Sequence, residues 1–181
     1  MKAPGTADGG VPVRDGFFPG EGGWLLPHGE TRKGPMLRGN CPAKIDAKGR
    51  LKIPTAFRRH FEDQYGREFF VTSITGEFAR IYPMPIWVEI EKKLAAAPSM
   101  SPAIQRYTNV VSYFGQMATS DEQGRILIHP LLRQSSGING AVAVLGKQTF
   151  VDVWSQETFL SLLKQQPLSD EDKNILASLG L

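Results

Sequence analysis

The 181-residue chain contains a single cysteine, Cys41, which excludes an internal disulfide and a four-cysteine metal site. Its three histidines, His28, His60 and His129, are too far apart to share ligand spacing, and no metal is expected. No apolar run reaches the roughly 18 residues that a membrane-crossing helix needs. The first residues lack the charged, apolar, small-residue order of a secretory leader. Neither sign of charge is in large excess: 21 Lys and Arg stand against 18 Asp and Glu, for a formal net charge of +3. An anionic partner must therefore be recognised through local clustering of charge. No phosphate-loop signature and no defensible pair of catalytic carboxylates occurs. The expectation is a soluble intracellular protein, not an enzyme and without a cofactor, long enough for one or two domains with a real core.

Residues 1–35 are dense in Gly and Pro, their charges cancel, and no helical or strand period runs through them. A disordered tail is expected there. Its "GFF" and "GWLL" clusters are candidates for docking on a partner. Patterned sequence begins at Met36, which raises the expectation that Met36 is the true start and that the upstream residues are a mis-assigned extension.

From there on the chain repeats itself. "DAKGRLKIPTAFR" from Asp46 and "DEQGRILIHPLLR" from Asp121 align at an offset of 75, matching Gly49 with Gly124, Arg50 with Arg125 and Arg58 with Arg133. Later the offset is 72, and Phe78, Ile81, Tyr82 and Trp87 fall on Phe150, Val153, Trp154 and Phe159. Each copy predicts a glycine turn, a brief strand ("RLKI", "RILI"), a short helix ("TAFRRHF", "LLRQS") and two further strands. Those strands are "FFVTS" with "FARIY", and "AVAVL" with "TFVDVW". The links "ITGE" and "GKQ" are expected to supply the glycine of a tight hairpin. Helices are predicted over "PIWVEIEKKLAAA", "SQETFLSLLKQQ" and "AIQRYTNVVSYFG", the last with Ile104, Tyr107, Val111 and Phe114 on one face. A short helix is expected within "LSDEDKNILASLGL". Two copies of a unit too small to close a core alone point to one small barrel completed by both. Trp87 and Trp154 are expected to pack in that barrel rather than to stack bases.

Asp-x-x-Gly-Arg puts a carboxylate before a turn and a guanidinium after it. The carboxylate can accept backbone N–H bonds and hold the arginine fork in one orientation. The pair is then either a structural lock on the hairpin or a pre-oriented arginine for a guanine edge or a phosphate. Residues 36–66 carry seven basic side chains against three acids, whereas the second motif has Glu122 and Gln123 in place of Ala47 and Lys48. The first motif is expected to carry more of any anion contact.

From "MLRGNCPAKIDAKGRLKIPTAFRRHF" through "SDEQGRILIHPLLR" and "AVAVLGKQTFVDVW" to Leu181, the chain resembles the MraZ family of bacterial transcriptional regulators of the division and cell-wall gene cluster. The resemblance implies an α+β fold of two tandem swapped-hairpin AbrB-like βαββ repeats, packed as an intramolecular pseudo-dimer with flanking helices. The implied division is a tail over 1–35, repeats over 36–88 and 116–160, connecting helices over 89–115 and a helical tail over 161–181. Several chains would form a ring, a homo-oligomer that binds short direct repeats in double-stranded promoter DNA, usually as a repressor, in the cytoplasm at the nucleoid. Asp46, Lys48 and Arg50 would form the first DNA-facing turn, and Asp121 and Arg125 the second. Arg50 and Arg125 would touch DNA, Asp46 and Asp121 would orient them, and Lys48, Lys44 and Lys52 would meet phosphate. An alternative is an antitoxin-like interaction module of the same fold without sequence-specific DNA binding. The family usually has Pro directly after the Ile of the second motif; here His129 intervenes before Pro130, and a shifted start of the short helix is expected.

Overall fold

The computed structural model describes residues 37–98 and 101–181. The expectations for residues 1–35 and for Met36 lie outside the described residues. The fold is α+β, an antiparallel six-stranded sheet and a two-stranded ribbon with six helices among the described residues.

The first half runs β1 (Leu37–Lys44), β2 (Arg50–Lys52), α1 (Thr55–Gln64), β3 (Glu68–Thr72), β4 (Ala79–Pro83) and α2 (Met84–Ala96). Helix α3 (Pro102–Tyr113) leads into the second half. There the order recurs as β5 (Gln116–Thr119), β6 (Arg125–Leu127), α4 (Pro130–Ser136), β7 (Ala141–Gln148), β8 (Phe150–Ser155) and α5 (Gln156–Gln165), followed by α6 (Asp170–Ser178).

Local rules account for the elements. Helix α1 buries Phe57 and Phe61, four residues apart on one face. Beyond it Gly66, at φ 87°, donates its N–H back to the Phe61 carbonyl and stops the helix. Helix α4 stops at Gly137, in the left-handed region at φ 62°. Helix α3 buries Val111 against Tyr82 and Trp87, with Tyr107 beside them. Trp87 stacks on Phe70 at 4.1 Å between centroids and Trp154 on Phe78 at 4.6 Å, so both indoles pack inside the protein.

The halves are interleaved rather than stacked. The six-stranded sheet has the order β1-β7-β8-β4-β3-β5. Each hairpin, β3–β4 and β7–β8, therefore receives the first strand of the other half: β1 pairs with β7, and β5 with β3. Strands β2 and β6 pair with each other to form the ribbon. Exchanging the halves leaves this pattern unchanged. As a result, residues that occupy the same place in the two copies meet: Leu51 lies opposite Ile126 in the ribbon, and Arg80 opposite Asp152 where β4 meets β8. The buried core draws on both halves, with Leu51, Phe61, Phe69 and Ile81 packed together with Ile126, Leu132, Val144 and Val153.

The Arg80–Asp152 pair closes the sheet's centre. Arg80 Nε donates to Asp152 Oδ1 at 2.7 Å and Nη2 donates to Oδ2 at 2.9 Å, a bidentate pair. Its guanidinium also lies over the Phe150 ring at 4.5 Å. Burial alone would make the guanidinium easier to deprotonate, but the hydrogen bonds and charge of Asp152 more than reverse this and raise its pKa.

One expectation about the turns is corrected. Gly146 of "GKQ" does not form the second hairpin turn: it lies within β7, and the positive φ of 65° falls on Gln148. Gly146 is needed for another reason, since a Cβ there would stand 2.5 Å from the backbone nitrogen of Arg38 on the neighbouring β1. In the first hairpin Gly76 does take the positive φ, at 84°.

Candidate nucleic-acid interface

Each Asp-x-x-Gly-Arg segment folds into the same closed turn. Asp46 N–H donates to the Arg50 carbonyl at 3.0 Å and Gly49 N–H to the Asp46 carbonyl at 2.9 Å; the second copy repeats both bonds at 3.0 and 2.8 Å. The Asp46 carboxylate spans the turn. Its Oδ1 accepts the backbone N–H groups of Lys48 and Arg50, each at 2.9 Å, and its Oδ2 accepts Arg50 Nε at 2.8 Å. Asp121 Oδ1 likewise accepts from Gln123 and Arg125 at 2.9 Å, and its Oδ2 accepts Arg125 Nε at 2.7 Å. The backbone N–H of the following arginine is the largest of the influences that hold each carboxyl below its ordinary pKa, so both turns stay ionised and locked at neutral pH.

The locked arginines enter the ribbon from opposite ends. Arg50 pairs with Leu127, and Arg125 with Lys52. Directly opposed residues on antiparallel strands share a face. Leu51 and Ile126 take the inner face and are fully buried, so Arg50, Lys52, Arg125 and Leu127 share the outer one. Nε and Nη2 of Arg50 are both held at 2.8 Å from Asp46 Oδ2, which fixes the plane of a fork that carries five donors. Lys48 is exposed on the first turn, with Gln123 in the equivalent place on the second. Lys44 is exposed on β1 opposite Ala141, outside the ribbon.

Two further arginines hold the arrangement together. Ile53 N–H donates to the Gly124 carbonyl at 2.9 Å and Ile128 N–H to the Gly49 carbonyl at 3.0 Å, so each turn is fastened to the opposite half. Arg58 reaches across to donate to the Glu122 carbonyl at 2.9 Å and lies where a Cβ on Gly124 would be, 2.5 Å from its Cδ. Arg133, held to the Ile128 carbonyl at 3.0 Å, occupies the same place against Gly49. The glycines thus serve twice, taking φ of 80° and 72° and leaving room for the other half's arginine. Repetition marked Arg58 and Arg133 as a pair, but their role depends on a contact between distant segments. The expected shift of the second short helix does not occur: α4 starts at Pro130, 75 residues after the start of α1 at Thr55. His129 takes the place of Pro54, and its Nδ1 caps the helix by accepting from Leu131 N–H at 3.2 Å.

No group of three or more His, Cys, Asp and Glu side chains capable of holding a metal is present among the described residues. No helix among them is long and apolar enough to cross a membrane.

Residues 36–109 match the family described as "MraZ protein, putative antitoxin-like". A protein of Acidobacterium capsulatum named transcriptional regulator MraZ is 43% identical over 146 residues, 81% of this chain and all of that protein. The chain belongs to the MraZ family. A second relative of the same name, from Koribacter versatilis, is 44% identical over 147 residues, again 81% of this chain and all of the relative. The MraZ protein of Nitrosomonas europaea is 35% identical over 119 residues, 66% of this chain and 80% of its own.

Proposed function

We propose that this MraZ-family chain is a transcriptional regulator that binds double-stranded DNA through the β2–β6 ribbon and its two turns. The observation that supports this most is the shared outer face of Arg50, Lys52 and Arg125, with both arginines held by carboxylates. A two-stranded ribbon fits the major groove, and an oriented arginine fork matches the O6 and N7 acceptors of guanine. In this reading Arg50 and Arg125 read bases and Asp46 and Asp121 orient them. Lys48, Lys52 and, from the neighbouring strand, Lys44 meet phosphates.

The exchange of first strands between hairpins supports reading residues 36–88 and 116–160 as swapped-hairpin, AbrB-like repeats in an intramolecular pseudo-dimer. Residues 89–115 then connect the repeats and 161–181 form a helical tail. Copies of the chain assemble as a ring over short direct repeats in the promoter of its own division and cell-wall cluster and repress it at the nucleoid. Linked copies on evenly spaced sites convert weak contacts into tight binding. The family description favours one second reading, an antitoxin-like module that binds a protein partner instead of DNA.

A gel shift on the DNA upstream of the protein's own gene, at two salt concentrations, separates the two. The expected result is sequence-selective, salt-sensitive binding, with Arg50→Ala losing about 1–3 kcal/mol per engaged site. Equal losses on specific and random DNA would contradict base reading by Arg50. No selective binding by folded wild type would favour the interaction module.

A further inference from the structure

The ribbon's outer face is not symmetric. Leu127 stands where the first copy has Lys52, at the offset of 75 that pairs the two motifs. At one end of the ribbon Arg125 therefore lies opposite Lys52, and at the other Arg50 lies opposite Leu127. Leu127 is 48% exposed, on a face otherwise made of cations. The fold does not demand an apolar residue there, because Lys52 occupies the equivalent place on the partner strand with the same exposed character. Gln116 Nε2 donates to the Leu127 carbonyl at 2.7 Å and ties the backbone at this end of the ribbon to β5.

In a major groove, the apolar feature that can meet such a side chain is the 5-methyl group of thymine. We propose that Leu127 is a base-reading residue that packs on the methyl of a thymine adjacent to the base pair contacted by Arg50. One end of the ribbon then reads through a cation beside an apolar contact, and the other through a cation beside a phosphate-binding lysine. The two half-sites differ accordingly, and the module sits on DNA in one polarity, which suits sites repeated in one direction rather than inverted ones. This inference rests on the ribbon being the DNA-binding face.

The test uses the full chain and the fragment upstream of its own gene, amplified once with thymidine and once with deoxyuridine triphosphate, which removes only the methyl groups. Wild type is expected to bind the thymine fragment more tightly by about fourfold for each methyl buried. Leu127→Ala is expected to bind the two fragments alike. Leu127→Lys, which copies the first half, is expected to gain affinity for random DNA and to show no preference between the fragments. A uracil penalty that persists undiminished in Leu127→Ala would overturn the assignment, as would selective wild-type binding without any uracil penalty. An altered particle size of Leu127→Ala in light scattering, with the penalty unchanged, would overturn it in favour of a contact between copies. Failure of wild type to prefer the thymine fragment over random DNA would overturn the DNA-binding reading, and the inference with it.

Discussion

The turn at Asp46 and the turn at Asp121 match in the bonds that each carboxylate makes within its own turn, yet their surroundings differ in charge. The first has Lys48 and Lys52 about it, where the second has Gln123 and Leu127. Groups that hold the backbone are repeated: Asp, Gly, Arg and the arginine that crosses to the other half. Groups that only face solvent are not. The shared frame therefore orients two arginines identically, while the exposed residues make the two ends of one ribbon chemically unlike. At the sheet's centre the difference between halves is itself structural, because Arg80 and Asp152 hold equivalent places and attract each other.

Breaking that central pair should have the largest effect. Arg80 and Asp152 have side chains only 18% and 5% exposed. Asp152→Ala leaves a buried guanidinium without its partner and is expected to cost about 3–5 kcal/mol of stability in denaturant titration. Arg80→Asp and Asp152→Arg each put like charges face to face, whereas the combined reversal should recover much of the loss. A double reversal no better than either single change would show that the pairing of unlike halves does not depend on this charge match.

Next come the turn glycines. Gly49→Ala and Gly124→Ala each force a side chain into the left-handed region, at about 1–3 kcal/mol. The second should cost more. A Cβ on Gly124 meets Arg58 at its Cδ, and Arg58 is anchored to Glu62 and to the Glu122 carbonyl. A Cβ on Gly49 meets the far end of Arg133, which one hydrogen bond to the Ile128 carbonyl holds, against the two that anchor Arg58, so moving it costs less. Equal melting temperatures for the two variants would contradict this difference.

Smaller effects concern charge alone. Gln123→Lys gives the second turn the lysine of the first and should steepen the salt dependence of DNA binding by about 0.9 in log–log slope. Lys48→Gln should flatten it by a similar amount, with neither variant changing the melting temperature. An unaltered slope in both would remove these positions from the phosphate contact.

The smallest effect is on the acid side. Asp46 and Asp121 have lowered pKa values, so their stabilisation is complete above the ordinary carboxylate value and is lost as pH falls through the lowered one. Both turns should respond together, below the ordinary carboxylate value. His60 has its pKa lowered by burial, against the opposing charge of Asp63, and Ser135 occupies its place in the second half. It contributes stability above the ordinary histidine value of 6.5 that is lost as pH falls. His60→Ser should reduce the mild-acid loss of stability in the first half, read by amide exchange in α1.

Much of this was legible in the sequence where the cause is local. The turns at Gly49 and Gly124, the short helices, the paired strands of each hairpin and the α3 face all follow from spacing and residue type. Gly146 reads in the sequence as a turn residue, because a close approach by another strand looks there like any glycine near a hairpin. The shift expected from His129 failed because the histidine ring supplies a cap in place of the proline it displaces. Arg58 and Arg133 were visible as a repeated pair, but nothing along the chain shows what a guanidinium reaches 64 residues away.

By itself the sequence determined that the unit occurs twice, that each copy turns at Asp-x-x-Gly-Arg, and that cations gather around the first copy. Those properties depend on neighbours a few residues apart. Only the tertiary structure decided that each half lends its first strand to the other, and that Leu51 meets Ile126 and Arg80 meets Asp152. Strand pairing between distant segments is selected by the burial of whole faces at once, and a period along one strand does not name its partner. That selection brings two turns written 75 residues apart to the two ends of one ribbon.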